Sequence, residues 1–138
     1  MFKITDWLAT HGLGETMYPM EKIRTGEKLE DTDWTIVDVR LMKDESQPMA
    51  VYKDMITIAM NTLEREKKIV VCCGAGISRS NSIALAVLMI KTNMDYYDAE
   101  NMIREKVPIA QIEPCHIKKI KQLFGVEPPF TYLHQNRQ

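Results

Sequence analysis

The chain is poor in most of the features that mark a specialised class. Three cysteines in 138 residues are too few for the disulfide framework of a secreted scaffold. Lysine and arginine number 18 against 19 aspartates and glutamates, a net charge of −1. No bulk charge of either sign remains to draw the chain onto nucleic acid or an anionic membrane. No apolar run approaches the roughly 18–20 residues that span a bilayer. The opening Met1-Phe2-Lys3-Ile4-Thr5-Asp6-Trp7 is too charged for a secretory signal. Internal repeats and low-complexity stretches are absent. What remains is one domain over residues 1–138, with 126–138 as a C-terminal tail. It is expected to be cytoplasmic and monomeric, without nucleic-acid or membrane partners. A chain this long can bury a sizeable core without disulfide or metal staples. Ten methionines against three phenylalanines suggest that adaptable side chains fill it.

Hydrophobic periodicity divides the chain into alternating strands and helices. Residues 2–9 read as one short strand. Residues 10–33 hold scattered glycines, with a helical stretch around Met20 to Leu29. Trp34 to Leu41 reads as a strand and Lys43 to Met49 as a polar loop. Val51, Met55, Ile58, Ala59 and Leu63 recur at near-helical spacing over 50–66. Ile69 to Cys72 is a short unbroken apolar run, the mark of a buried strand. A helix over 80–92, apolar around most of its surface, belongs at the centre. Asp95 caps a helix over 96–106, stopped by Pro108. Pro114 opens a last helix that Gly125 closes. This alternation implies an α/β sandwich.

The chemistry concentrates where the buried strand enters the central helix, at Cys72-Cys73-Gly74-Ala75-Gly76-Ile77-Ser78-Arg79-Ser80. Helix N-terminal amides lack intrahelical partners, and the macrodipole adds partial positive charge. Loop amides can converge on one oxyanion, and glycines 74 and 76 let the backbone close around it. Arg79 adds a guanidinium able to bind two phosphate oxygens at once. The same field favours a thiolate at Cys73, and the thiolate is the nucleophilic form.

These residues resemble the signature of the cysteine-dependent protein tyrosine phosphatases. In the form Cys-x-Ala-Gly-x-Ser-Arg-Ser they resemble its dual-specificity branch. Ile4-Thr5-Asp6-Trp7-Leu8 is similar to the opening strand of such domains. Residues 83–89 are similar to their central helix, and residues 98–108 to the next helix and its proline stop. The resemblance implies a three-layer phosphatase-like sandwich with a short mixed, mostly parallel sheet and helices on both sides. It implies that Cys73 attacks phosphorus, and that the amides of Gly74, Ala75, Gly76, Ile77 and Ser78 hold the phosphate with Arg79. Ser80 would assist departure of the thiolate. A phosphorylated protein or peptide is the implied substrate, with no cofactor and no metal.

The family also uses an aspartic acid from a separate loop as general acid. Asp44 is the first candidate, in a polar loop and at close to the family's separation from Cys73. Asp38, inside the apparent strand, is second, followed by Glu45 and Asp54. Cys72 departs from the pattern, because the family usually has a loop-ordering histidine there. Its replacement implies slower turnover than in histidine-bearing relatives. Cys72 and Cys115 otherwise read as small buried hydrophobes, with a strained redox pairing of Cys72 with Cys73 as the alternative. No basic side chain lies between Cys73 and Arg79, which favours phosphoproteins over RNA, nucleotide or inositol phosphates. A non-catalytic phosphoprotein-binding module is the other alternative. His11 and His116 have no ligand neighbours at metal spacing and are expected at the surface or in caps. Lys118, Lys119 and Lys121 read as a solvated face, and Tyr96-Tyr97 as packing.

Overall fold

The computed structural model describes residues 1–15 and 25–126. Strands β1 (Phe2–Lys3), β2 (Leu8–Gly12), β3 (Thr25–Lys28) and β4 (Thr35–Asp38) lead into helix α1 (Met49–Glu66). Strand β5 (Ile69–Cys73) and helices α2 (Arg79–Thr92), α3 (Tyr96–Lys106) and α4 (Pro114–Leu123) follow. One five-stranded sheet has the order β1-β2-β5-β4-β3. Strand β5 is central and pairs in parallel with both β2 and β4. The outer pairs, β1 with β2 and β3 with β4, are antiparallel. The α/β class and the mixed sheet are therefore as expected, with the parallel character confined to the three central strands.

Strand alternation divides the core. Ile69, Val71 and Cys73 of β5 join the larger cluster, to which all four helices contribute. Val70 and Cys72 turn to a smaller cluster with Ala9, Trp34 and Ile36. Among the described residues no helix contributes to that second cluster. Every residue of β5 is buried, which explains its unbroken apolar run. Helix α2 is buried continuously from Ser80 to Met89. It packs against the sheet and the other three helices, so it has no solvated face on which a polar stripe could survive.

Two local expectations change. Residues 2–9 form a hairpin rather than one strand. The Ile4 amide donates to Leu8 O at 2.8 Å, and Thr5 Oγ1 accepts from the Trp7 and Leu8 amides at 3.1 and 2.9 Å. A hydroxyl bonding two residues onward is a turn device that apolar periodicity does not register. The helix expected around Met20 to Leu29 is also corrected where it is described, because Thr25–Lys28 is a mostly exposed edge strand. Gly26 sits there at φ +94°, beside a register irregularity of the kind that blunts sheet edges. Residues 20–24 of that stretch lie outside the described residues, as does the tail from 127 onward. The other helices stand close to their expected bounds. Asp95 Oδ1 accepts from the Asp98 amide at 2.8 Å as the α3 cap.

The feature that positions the site is the continuation of β2. Beyond the paired Gly12 and Cys73, the Leu13 amide donates to Cys73 O and the Gly14 amide to Gly74 O, both at 2.8 Å. The end of β2 is thereby clamped to the loop that leaves β5. A Cβ on Gly12 would stand 2.7 Å from the carbonyl carbon of Ala75 and 2.9 Å from Gly74 O. Both are backbone atoms and cannot swing aside. Gly12→Ala is therefore expected to lower stability by about 1–3 kcal/mol. Chemical denaturation checks this, and an unchanged midpoint would mean that the loop has slack there.

Candidate active site

Cys73 ends β5 at the carboxyl edge of the parallel strands, where open α/β sheets place their ligand sites. It is almost wholly buried, and its Sγ lies 3.2 Å from Ser80 Oγ on the first turn of α2. The chain between them wraps tightly. Gly76 adopts φ +75°, and a Cβ there would meet Gly12 N at 2.9 Å, so glycine is required twice over. Asn81 Nδ2 donates to the carbonyls of Gly76 and Ile77 at 3.0 Å each. Ser78 stands at the N-cap of α2 without capping it. Its Oγ instead accepts from the Glu113 amide at 2.9 Å. A helix start without a side-chain cap, in a loop whose carbonyls are bonded elsewhere, suits an incoming oxyanion.

Arg79 is held by its own bonds. Nη1 donates to Met42 O at 3.0 Å, which ties the guanidinium to the segment after β4. Nη2 donates to Glu15 Oε1 at 2.7 Å. A Cβ built on Gly74 would fall on that same Glu15 carboxylate. Glu15 therefore sets its negative charge over the loop and against the arginine. Cys73, Ser78, Arg79, Glu15 and Asp44 line one cavity of about 250 Å³. A larger groove of about 410 Å³ between α3 and α4 contains no cysteine.

The candidate acids separate cleanly. Asp44 stands in the cavity with Cys73, and its Oδ1 lies 2.8 Å from His116 Nε2. Asp38 is fully buried and held by Arg40, whose Nε and Nη2 donate to its two oxygens at 3.0 and 2.8 Å. It pairs in register with Cys72 and so shares the face opposite Cys73. Glu45 is exposed beside Lys43, and Asp54 lies on the exposed side of α1. Neither lines the cavity.

Cys72 and Cys73 are successive strand residues and project to opposite faces of the sheet. That geometry excludes the redox pairing while β5 stays in the sheet. Burial, reinforced by Asp38, pushes the Cys72 thiol up to about 12, and its Sγ reaches only Val70 O at 3.6 Å. It behaves as the small hydrophobe expected. Burial also raises the Cys115 thiol. His116 corrects another expectation. It is neither at the surface nor a cap but fully buried, between Asp44 and Tyr52 Oη, which lies 2.6 Å from Nδ1. Its polar partners come from distant parts of the chain, so sequence spacing gives no sign of them. His11 lies half-buried on β2, its pKa lowered chiefly by that burial. Tyr96 packs with its hydroxyl donating to Glu100 Oε2 at 2.6 Å, and Lys121 sits over both tyrosine rings at 5.0 and 5.3 Å.

Residues 8–124 match the dual specificity phosphatase catalytic domain. The chain belongs to that family. A viral protein named as a tyrosine phosphatase, 123R of Invertebrate iridescent virus 6, is 26% identical over 115 residues, covering 81% of this chain and 80% of the relative. Human DUSP28 has a similar fold, with a TM-score of 0.52 at 21% identity, over 59% of this chain and 58% of that one. So does PTPMT1 solved in complex with PI(5)P, with a TM-score of 0.52 at 19% identity, over 61% and 54%. The matched region thus spans little more than half of those solved chains. The matched range includes the loop from Cys73 to Ser80. Glu15, Gly12 and His116 are the site residues that sequence reasoning did not single out. Of these, the paired glycines 12 and 14 were the readable signal, two flexible positions at the end of a strand.

An anion that bound Arg79 would have to displace Glu15 from Nη2. Removing the Glu15 charge should tighten binding of inorganic phosphate by about threefold to tenfold. Calorimetric titration of Glu15→Gln against the unaltered chain measures this. Equal affinities would show that the carboxylate does not occupy the cradle in solution.

Proposed function

We propose that this chain hydrolyses phosphate monoesters on phosphoproteins through a phosphocysteine. The observation that carries the reading is that Cys73, Arg79 and Asp44 meet in one cavity, although Asp44 comes from a different loop. In the first step Cys73 Sγ attacks phosphorus in line, and the bond from phosphorus to the leaving oxygen breaks. Asp44, protonated, gives its proton to that oxygen. Arg79 and the amides of residues 74–79 hold the remaining oxygens as their charge builds, and such positioning supplies most of what phosphoryl transfer needs. In the second step water attacks the phosphocysteine while Asp44, now a carboxylate, takes its proton. The bond between sulfur and phosphorus breaks, and Ser80 Oγ is close enough to Sγ to donate to the thiolate as it leaves.

The charge around the cavity supports a phosphoprotein substrate. Among its described lining residues, Arg79 is accompanied by Glu15, Asp44 and Glu113. With Asp44 protonated as the acid, Glu15 and Glu113 remain beside the one guanidinium, a balance that disfavours polyphosphates or multiply phosphorylated inositols more than a lone phosphate group. The lipid in the PTPMT1 complex keeps a phosphoinositide as the second reading, at the level of fold likeness only. The cavity is small, with Ile77 exposed among its lining residues. That arrangement fits phosphotyrosine together with phosphoserine and phosphothreonine.

Cys73→Ser is expected to abolish hydrolysis of an aryl phosphate, a loss of at least about 10³-fold. A panel of phosphotyrosine, phosphoserine and phosphothreonine peptides, run beside a phosphoinositide, measures the preference. Activity retained in Cys73→Ser would sink the mechanism, and faster turnover of the lipid would replace the substrate class.

A further inference from the structure

We infer that His116 is a positioning residue that fixes Asp44 for proton transfer, with Tyr52 setting the form of the imidazole that does so. The inference rests on Asp44 being the general acid and base of the proposed mechanism.

Asp44 belongs to the polar connection between β4 and α1, and its side chain is 45% exposed. Within that connection, Gln47 Oε1 accepts from the Lys43 amide at 3.1 Å and its Nε2 donates to Lys43 O at 2.8 Å. These bonds shape the backbone but do not aim the carboxylate. That is done from another part of the chain, by His116 Nε2 at 2.8 Å from Oδ1. The contact uses one carboxylate oxygen and leaves Oδ2 to carry the transferred proton.

The imidazole is fixed on its other side too. Tyr52 in α1 is fully buried, its Oη stands 2.6 Å from Nδ1, and the two rings meet edge to face at 5.6 Å. Burial lifts the phenol to about 12, so at neutral pH it keeps its proton and donates it to Nδ1. The remaining neighbour, Cys115 Sγ at 3.8 Å from Nδ1, is kept a neutral thiol by its own burial. An accepting Nδ1 leaves the ring hydrogen on Nε2, directed at Asp44. The arrangement runs from Tyr52 through His116 to Asp44, and from there to the cavity that holds Cys73.

The buried Tyr52–His116 bond satisfies two polar groups and so serves folding, but the further bond to Asp44 is not explained that way. A bond to a half-exposed carboxylate contributes little to folding, whereas a misplacement of about 1 Å in a reacting group costs up to about 100-fold in rate.

The test is how steeply kcat/KM depends on leaving-group pKa across substituted aryl phosphates, measured in the full chain. Asp44→Asn should steepen that dependence, because poor leaving groups need the proton. His116→Phe should steepen it in the same sense. It should lower kcat/KM about tenfold to a hundredfold on phenyl phosphate, but by less than about threefold on the most acidic leaving group. His116→Gln restores a donor near the Nε2 position and should recover most of the loss. In an Asp44→Asn background the His116 changes should add nothing. Tyr52→Phe keeps the shape of the ring and removes only the donor to Nδ1. It should give an intermediate slope, and it keeps the question answerable if a His116 variant does not fold. A steep slope in Asp44→Asn with a wild-type slope in His116→Phe, or in Tyr52→Phe where His116→Phe does not fold, overturns the positioning role. A wild-type slope in Asp44→Asn overturns the general-acid reading itself, and the inference with it.

Discussion

The site depends on two stretches of backbone passing closer than side chains permit. The end of β2 meets the loop leaving β5, and neither Gly12 nor Gly76 has room for a Cβ. The amides of residues 13 and 14 then bond the carbonyls of residues 73 and 74. A loop that must surround an oxyanion would otherwise carry the entropy of several free residues. Here the sheet carries that cost, since the loop is an extension of its strand pairing. Asn81 fixes the far side of the loop from α2. Cys73, the proposed nucleophile, therefore stands on a strand buried along its whole length, while the turn after it is held from two directions.

Much of this was legible in the sequence, for identifiable reasons. β5 and α2 are buried on all sides, so their apolar character is continuous and unmistakable. Asp95, Pro114 and Gly125 act through local backbone chemistry, which sequence displays directly. The position of Asp44 in a loop, and of Asp38 in a strand and so less able to swing over a substrate, was readable as well; Asp44 lines the cavity and Asp38 is paired with Arg40, while the role of Asp44 as general acid is a proposal. What was not legible depends on partners far along the chain. His116 lies near the start of α4, yet its hydrogen-bonding partners are Tyr52 and Asp44. Nothing in residues 113–118 announces them. The hairpin at residues 2–12 was hidden for a different reason. Its turn is made by one threonine hydroxyl, in a sequence that otherwise alternates like a single strand.

A net charge close to zero also takes on meaning. A net charge of −1 gives no net long-range attraction for anions, so in the proposed function recognition would rest on one guanidinium, one helix start and a set of amides. Several carboxylates sit around that spot. In the proposed function they would make the site discriminating rather than merely attractive, since an anion with additional charges would meet repulsion at the rim.

The alternation of β5 has a consequence for the life of the molecule under oxidants. Peroxide converts an exposed or activated thiolate first to a sulfenic acid, and a nearby thiol can trap that state reversibly as a disulfide before irreversible acids form. Cys72 is adjacent in sequence yet lies on the far side of the sheet. It could reach its neighbour only if β5 left its two parallel partners. An oxidised Cys73 therefore has no rescuer on its own strand.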